Sequence, residues 1–150
     1  MGRCEPPLRI LVVEDEALIA LDIGYVIEDS GHTMVGEATS LFDVATLDES
    51  IRPDLAFVDV HLGSGTSGVD ACRLIRERWS DAIIVFITAN PKKIPDDYAG
   101  AHGVIEKPFS LRGLTLAMKY LEEGICDPPP TSAQPACFVA TPAFESSWLG

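Results

Sequence analysis

A chain of 150 residues is long enough for one ordinary domain with a single core and leaves no room beside it for a separate output domain. Its 23 acids against 11 bases give a net charge of -12, the wrong sign for tracking a phosphate backbone, and no Lys/Arg stripe offsets it, which argues against direct nucleic-acid binding. The apolar runs have strand length, too short to span a bilayer, and Arg3, Glu5 and Pro6-Pro7 precede no secretory apolar stretch, so a soluble, cytoplasmic chain without a membrane partner is expected.

Short β-rich runs alternate with helix-period segments, the pattern of βαβ units around a parallel sheet. The first strand is predicted at about Arg9 to Val13, and its helix, about Ala17 to Asp29, ends at Ser30-Gly31 with glycine as C-cap. A second strand follows near Thr33 to Ala38. Ser40 with Asp43 resembles a capping box for a second helix that Pro53 ends, and a third strand runs from Leu55 to Asp59. After a Gly/Ser loop, Ser67 and Asp70 repeat the capping signal ahead of a helix to about Trp79. Ile83 to Ile87 is the most apolar strand and therefore central. The fourth helix must fit between Pro91 and Gly100, where Pro95 predicts a short or irregular turn. Strand five is Val104 to Glu106, and the last helix runs from Ser110 to Gly124 with Leu114, Ala117, Met118 and Leu121 on one face. This divides the chain into an N-terminal extension (1–8), one domain (9–124) and a Pro-rich tail (125–150) that begins near Pro128-Pro129-Pro130. The proline content predicts a disordered extension, while Phe138, Val139, Phe144, Trp148 and Leu149 favour docking onto the domain or a second subunit.

The polar residues at the strand ends carry the chemistry. Glu14 and Asp15 end the first strand, Asp59 the third and Thr88 the fourth, and Lys107 follows the fifth. Each alone has a structural explanation: a polar strand end, a loop cap, a β-branched strand residue, a solvated turn. Together they converge at the carboxyl edge of a parallel sheet, where open α/β folds place their sites. Clustered carboxylates call for a cation, and hard oxygen ligands without paired histidines or thiolates favour Mg²⁺. An aspartate beside such a cation can attack phosphorus, with Lys107 and Thr88 facing the phosphoryl oxygens and small Ala89 leaving room for the incoming group. Cys72 is read as a small buried residue, and Cys4, Cys126 and Cys137 as incidental thiols. His32, His61 and His102 are read as loop residues.

From Arg9 to about Glu122 the chain resembles the receiver domain of bacterial two-component response regulators. The resemblance rests on Val-Val-Glu-Asp-Glu, Phe-Val-Asp-Val, Ile-Thr-Ala-Asn and Glu-Lys-Pro-Phe. It implies a flavodoxin-like, doubly wound five-stranded parallel sheet of (βα)5 type. It also implies Asp59 as phosphoacceptor, Thr88 as switch hydroxyl and Lys107 as the phosphate-sensing lysine, with a cis bond to Pro108. Mg²⁺ would be held by Asp15, Asp59 and the His61 carbonyl, with Glu14 acting mostly through water. The implied partner is a histidine kinase or histidine phosphotransfer protein, met by the first helix with the loop after Lys107, where Ile19, Ala20 and Ile23 are candidate contacts and helical period favours a core position for Ile23. A stand-alone receiver that signals through protein contacts, with a homodimer left open, or that drains phosphate from a shared kinase is the expected role.

Two departures stand out. Val104 occupies the position, three before the lysine, where the family has an aromatic residue that swings inward, and Pro91 and Pro95 interrupt the fourth helix. Hence a switch surface from Asn90 to Gly103 is expected, with a degenerate, phosphorylation-independent binding module as the alternative reading. A phosphohydrolase of the haloacid dehalogenase type would need a second acid where His61 stands.

Overall fold

The computed structural model describes residues 5–65 and 67–149, so Cys4 and the rest of the first half of the 1–8 extension lie outside the described residues. Five strands, β1 (Arg9–Val13), β2 (Thr33–Ala38), β3 (Leu55–Asp59), β4 (Ile83–Thr88) and β5 (Gly103–Glu106), pair in parallel. A sixth, β6 (Phe138–Ala140), adds antiparallel to β5, giving the order β2-β1-β3-β4-β5-β6. The sheet therefore has one strand more than the expected five, contributed by the tail. Strands β3 and β4 are buried at every residue, as centrally placed parallel strands must be.

Alternation along the strands sends side chains to two cores. Ile10, Val12, Phe57, Val85 and Ile105 face α1 (Ala17–Asp29) and α4 (Leu111–Cys126). Leu11, Val13, Val58, Ile84 and Phe86 face α2 (Leu41–Thr46), α3 (Gly68–Arg78) and the 91–101 segment. Gly31 ends α1 in the left-handed region (φ 83°), the cap its sequence announces. Ser40 Oγ accepts from Asp43 N–H (3.1 Å), but Asp43 Oδ2 returns to Thr39 N–H (2.9 Å), so the box closes one residue early. Ser67 Oγ accepts from Val69 N–H (3.0 Å), while Asp70 faces Arg73 (3.6 Å).

No α-helix forms between β4 and β5. Two 3₁₀ turns, Pro91–Lys93 and Tyr98–Gly100, take its place. Pro91 starts the first, and Tyr98 (φ 56°), Ala99 (φ 52°) and Gly100 (φ 81°) run consecutively through the left-handed region, which an α-helix cannot do.

The tail is ordered, against the proline-based expectation of a disordered extension. Phe138 and Phe144 are buried in the α1/α4 core beside Tyr120, with ring centroids 5.7 and 6.0 Å from it, and α5 (Pro142–Ser147) closes over them. For the same reason α4 does not stop at Gly124: glycine is needed inside the helix because a Cβ there would run into the Phe144 ring, and the helix continues to Cys126. Leu8, assigned by sequence to the extension, is fully buried, its N–H donating to His32 Nδ1 (2.9 Å). His32 lies in the loop between α1 and β2, as its sequence position implies, and is buried there as a structural residue, with Nε2 placed 2.8 Å from Glu122. His102 Nδ1 accepts from Ile84 N–H (3.0 Å), again a structural bond.

Candidate functional site: an acidic pocket at the carboxyl edge of the sheet

Parallel register places the ends of β1, β3, β4 and β5 side by side, and the polar residues that terminate them meet there. Single carboxylate oxygens of Glu14, Asp15 and Asp59 all lie within 4.8 Å of one another. Lys107 Nζ sits 3.0 Å from Asp59 Oδ2 and 3.1 Å from Glu14 Oε1, with Glu16 Oε1 farther off at 3.4 Å. Glu14 and Asp59 are buried, and Asp15 is exposed at the mouth. His61 N–H donates to Asp59 Oδ1 (3.0 Å), so both oxygens of the central carboxylate are held. The Lys107–Pro108 bond is cis, as the resemblance implies.

Charge in this pocket is not balanced. Burial, reinforced by the nearby Asp59 carboxylate, pushes the Glu14 carboxyl up from 4.5 to about 7, despite the opposing Glu16 N–H and Lys107. For Lys107, burial disfavours the charge, but its bonds to Asp59 and Glu14 outweigh that and raise it above the usual lysine value. Glu14 Oε1 is buried without a hydrogen-bond partner and has only the Lys107 ion pair. Three hard carboxylates gathered at one edge of the sheet form a donor set that fits Mg²⁺.

A cavity of about 330 Å³ opens over Asp59, lined also by His61, Thr88, Ala89, Asn90, Lys107, Glu16 and Lys93. Thr88 Oγ1 accepts from Asn90 N–H (2.9 Å), which leaves its hydroxyl proton to donate into the cavity. A second cavity of about 470 Å³ lies against Asp15, His61 and Lys93. The structure thus brings Glu14, Asp15, Asp59, Thr88 and Lys107 together and sets the His61 backbone beside them. Sequence reasoning does not single out Glu16 or Lys93. Glu16 is the third acid of Glu-Asp-Glu, a signal it could have used. Lys93 reaches the cavity only because the chain takes a 3₁₀ turn there, which no motif announces.

Gly68 shows why the loop after Asp59 folds as it does. Its N–H donates to the Val60 carbonyl (2.8 Å), and a Cβ would overlap the Asp59 carbonyl. The start of α3 is therefore pressed against the strand that carries the central carboxylate. Burial also pushes the Cys72 thiol of that helix up to about 12, an inert thiol packed as a small apolar group.

The sequence matches the model of the response regulator receiver domain over residues 10–119. It is 34% identical over 103 residues to the phyllosphere-induced regulator PhyR of Methylorubrum extorquens, covering 67% of this chain and 38% of that protein. It is 32% identical over 115 residues to the transcriptional regulatory protein PdtaR of Mycobacterium tuberculosis, covering 75% and 56%. The chain therefore spans about half, or less, of the length of these relatives, both of them named as regulators. The solution structure of the Erythrobacter litoralis PhyR receiver domain superposes with a TM-score of 0.69 at 24% identity, over 83% of this chain and 96% of that one, a likeness of fold. With the fold, the acidic pocket and the matched sequence in agreement, the chain belongs to the response regulator receiver domain family.

Proposed function

We propose that Asp59 is the phosphoacceptor of a two-component phosphorelay, taking its phosphoryl group from the phosphohistidine of a histidine kinase or histidine phosphotransfer protein. The observation that carries this reading is the arrangement of Lys107 Nζ at 3.0 Å from Asp59 Oδ2 in a cavity that Thr88 also lines. An Asp59 oxygen forms a bond to phosphorus as the phosphorus–nitrogen bond to the donor imidazole breaks. The imidazole leaves with the electron pair. Lys107 and the Thr88 hydroxyl are placed to donate to the phosphoryl oxygens, and the Asp59 carboxylate is held in place for attack by its bonds from Lys107 and His61 N–H. Asp15, Asp59 and the His61 carbonyl would hold Mg²⁺, with Glu14 through water; when bound, the ion offsets charge on the transferred group. Attack by water on the acyl phosphate reverses the modification, releasing inorganic phosphate.

The donor docks on α1 and the loop after Lys107. A cavity of about 450 Å³ there is bordered by Glu16, Ile19, Asp22, Pro108 and Phe109, next to the acceptor. Of the apolar contacts expected on α1, Ile23 is buried and Ile19 and Ala20 are half-buried, and of these only Ile19 borders that cavity, so Ile19 is the one that fits the role. Leu18, Leu21 and Tyr25 are the helix's large exposed apolar residues, none of them among the contacts that the resemblance implies. The phosphorylated receiver acts through a downstream protein, a second copy, or as a sink that drains a shared kinase, in the cytoplasm. Among the described residues no helix is long and apolar enough to cross a membrane.

Incubation with Mg²⁺ and acetyl phosphate, followed by intact mass, tests the reading. One labile phosphoryl adduct that disappears in Asp59→Asn is expected. No adduct would favour the phosphorylation-independent binding module, for which buried Val104, lacking a ring to swing, is the supporting observation. Continuous turnover of varied phosphate esters would favour a hydrolase.

A further inference from the structure

Strand β5 connects the acceptor pocket to the C-terminal segment. At its carboxyl end, Lys107 N–H donates to the Thr88 carbonyl (2.8 Å), and the same lysine holds Asp59. Along its outer edge, Gly103, Val104 and Ile105 pair with Ala140, Val139 and Phe138. The lysine thus lies just beyond the residue of β5 that carries the first tail ring in register.

The tail sits in a groove shaped for it. A Cβ at Gly103 would strike the Phe138 ring and one at Gly124 the Phe144 ring, so two missing side chains on β5 and α4 form two aromatic-sized hollows. Thr141 Oγ1 donates to the Ala101 carbonyl (2.6 Å) and Thr141 N–H to that of His102 (3.1 Å). Yet the attachment is short. It consists of a three-residue strand and a six-residue helix, reached through eleven residues, 127–137, that include four prolines. A short strand on a sheet edge, held by few backbone bonds, belongs to the parts of a fold that open at low cost.

We propose that the β5 edge with the Gly103 and Gly124 hollows is a strand-binding groove, filled in cis by residues 138–148 of this chain, whose occupancy is coupled to the state of Asp59. Its ligand is an extended segment that pairs antiparallel with β5 and anchors two aromatic rings. A phosphoryl group on Asp59 draws Lys107 and the Thr88 hydroxyl toward itself and shifts the end of β5, and the three-residue pairing with β6 loosens. The inference rests on the phosphoacceptor reading above.

The test uses the whole chain with Mg²⁺ and beryllofluoride as the phosphoryl stand-in. Binding is followed by a ¹⁹F signal that Asp59→Asn removes, and the segment by hydrogen exchange of the amides from Val139 to Thr141. Exchange faster by on the order of tenfold with beryllofluoride is expected, the scale of an ordinary coupling between sites. Coupling is reciprocal, so Phe144→Ala, which empties one hollow without touching the pocket, should tighten beryllofluoride binding by a similar factor. If that variant does not stay folded, Thr141→Val, which loses only the bond to Ala101, serves in its place. Bound beryllofluoride with unchanged exchange, or unchanged affinity in the variant, overturns the groove coupling and leaves the acceptor role standing. Absence of any bound ¹⁹F signal overturns both.

Discussion

Glu14 and Lys107 are the residues whose ionisation the pocket alters most, and they are altered in complementary ways. Glu14 is driven toward its neutral form by burial and by Asp59, whereas Lys107 is held charged by those same two acids. Removing the lysine would leave two buried carboxylates facing each other. Lys107→Ala should therefore lower stability by about 3–5 kcal/mol in urea unfolding, the usual loss when one partner of a buried ion pair is taken away, with protonation of Glu14 reducing it. Gly68 makes a second residue-scale prediction. Gly68→Ala forces a Cβ into the Asp59 carbonyl, and overpacking of this kind costs about 1–3 kcal/mol, so the urea midpoint should fall and labelling of Asp59 should weaken with it. The acids, Thr88 and Lys107 were legible in sequence because each ends an apolar strand run, which fixes its position before any contact is known. His32 and His102 were not, because an imidazole that accepts a backbone N–H from another element has no local signature.

At the scale of elements, the strands and α1 were readable from period and caps. For the tail, the docking reading drawn from its apolar residues held and the disorder reading did not, because proline content describes the link, 127–137, and not the segment beyond it. Phe138 and Phe144 were visible as apolar residues, but their hollows are made by Gly103 and Gly124, far away in sequence. Truncation after Cys126 should lower the melting temperature, since it uncovers both hollows and the β5 edge. An unchanged melting curve would contradict the docked arrangement. The link is tied by Glu123, whose Oε1 accepts from Ser132 N–H (2.8 Å), Ser132 Oγ (2.8 Å) and Thr131 N–H (3.0 Å). Those bonds, led by Ser132 N–H, hold the Glu123 carboxyl below its ordinary 4.5. A carboxyl depressed in the folded state stabilises above its unfolded value and loses that contribution as pH falls through the folded one. Exchange at Thr131 and Ser132 should thus quicken as pH falls below about 4.5 after correction for intrinsic rates, and Glu123→Gln should remove that pH dependence.

For the whole molecule, the sheet sets the site at one end of β5 and the tail along its side. The missing helix between β4 and β5 and the aliphatic Val104 leave this receiver with a 3₁₀ segment and a sixth strand where the resemblance implies a helix and a mobile ring. The family and the acidic pocket were legible because they depend on residues at fixed strand ends. The interrupted fourth helix was legible too, from Pro91 and Pro95, whereas the sixth strand was not, because it arises from tertiary packing of distant segments. The central claim remains chemical: one carboxylate in this acidic cluster becomes an acyl phosphate. Treatment with acetyl phosphate and Mg²⁺ followed by borohydride reduction converts an acyl-phosphorylated aspartate to homoserine, which peptide mass locates. Homoserine at position 59, dependent on both Mg²⁺ and the phosphodonor, is the predicted result; its absence there, or its appearance at Asp15 instead, would contradict the assignment.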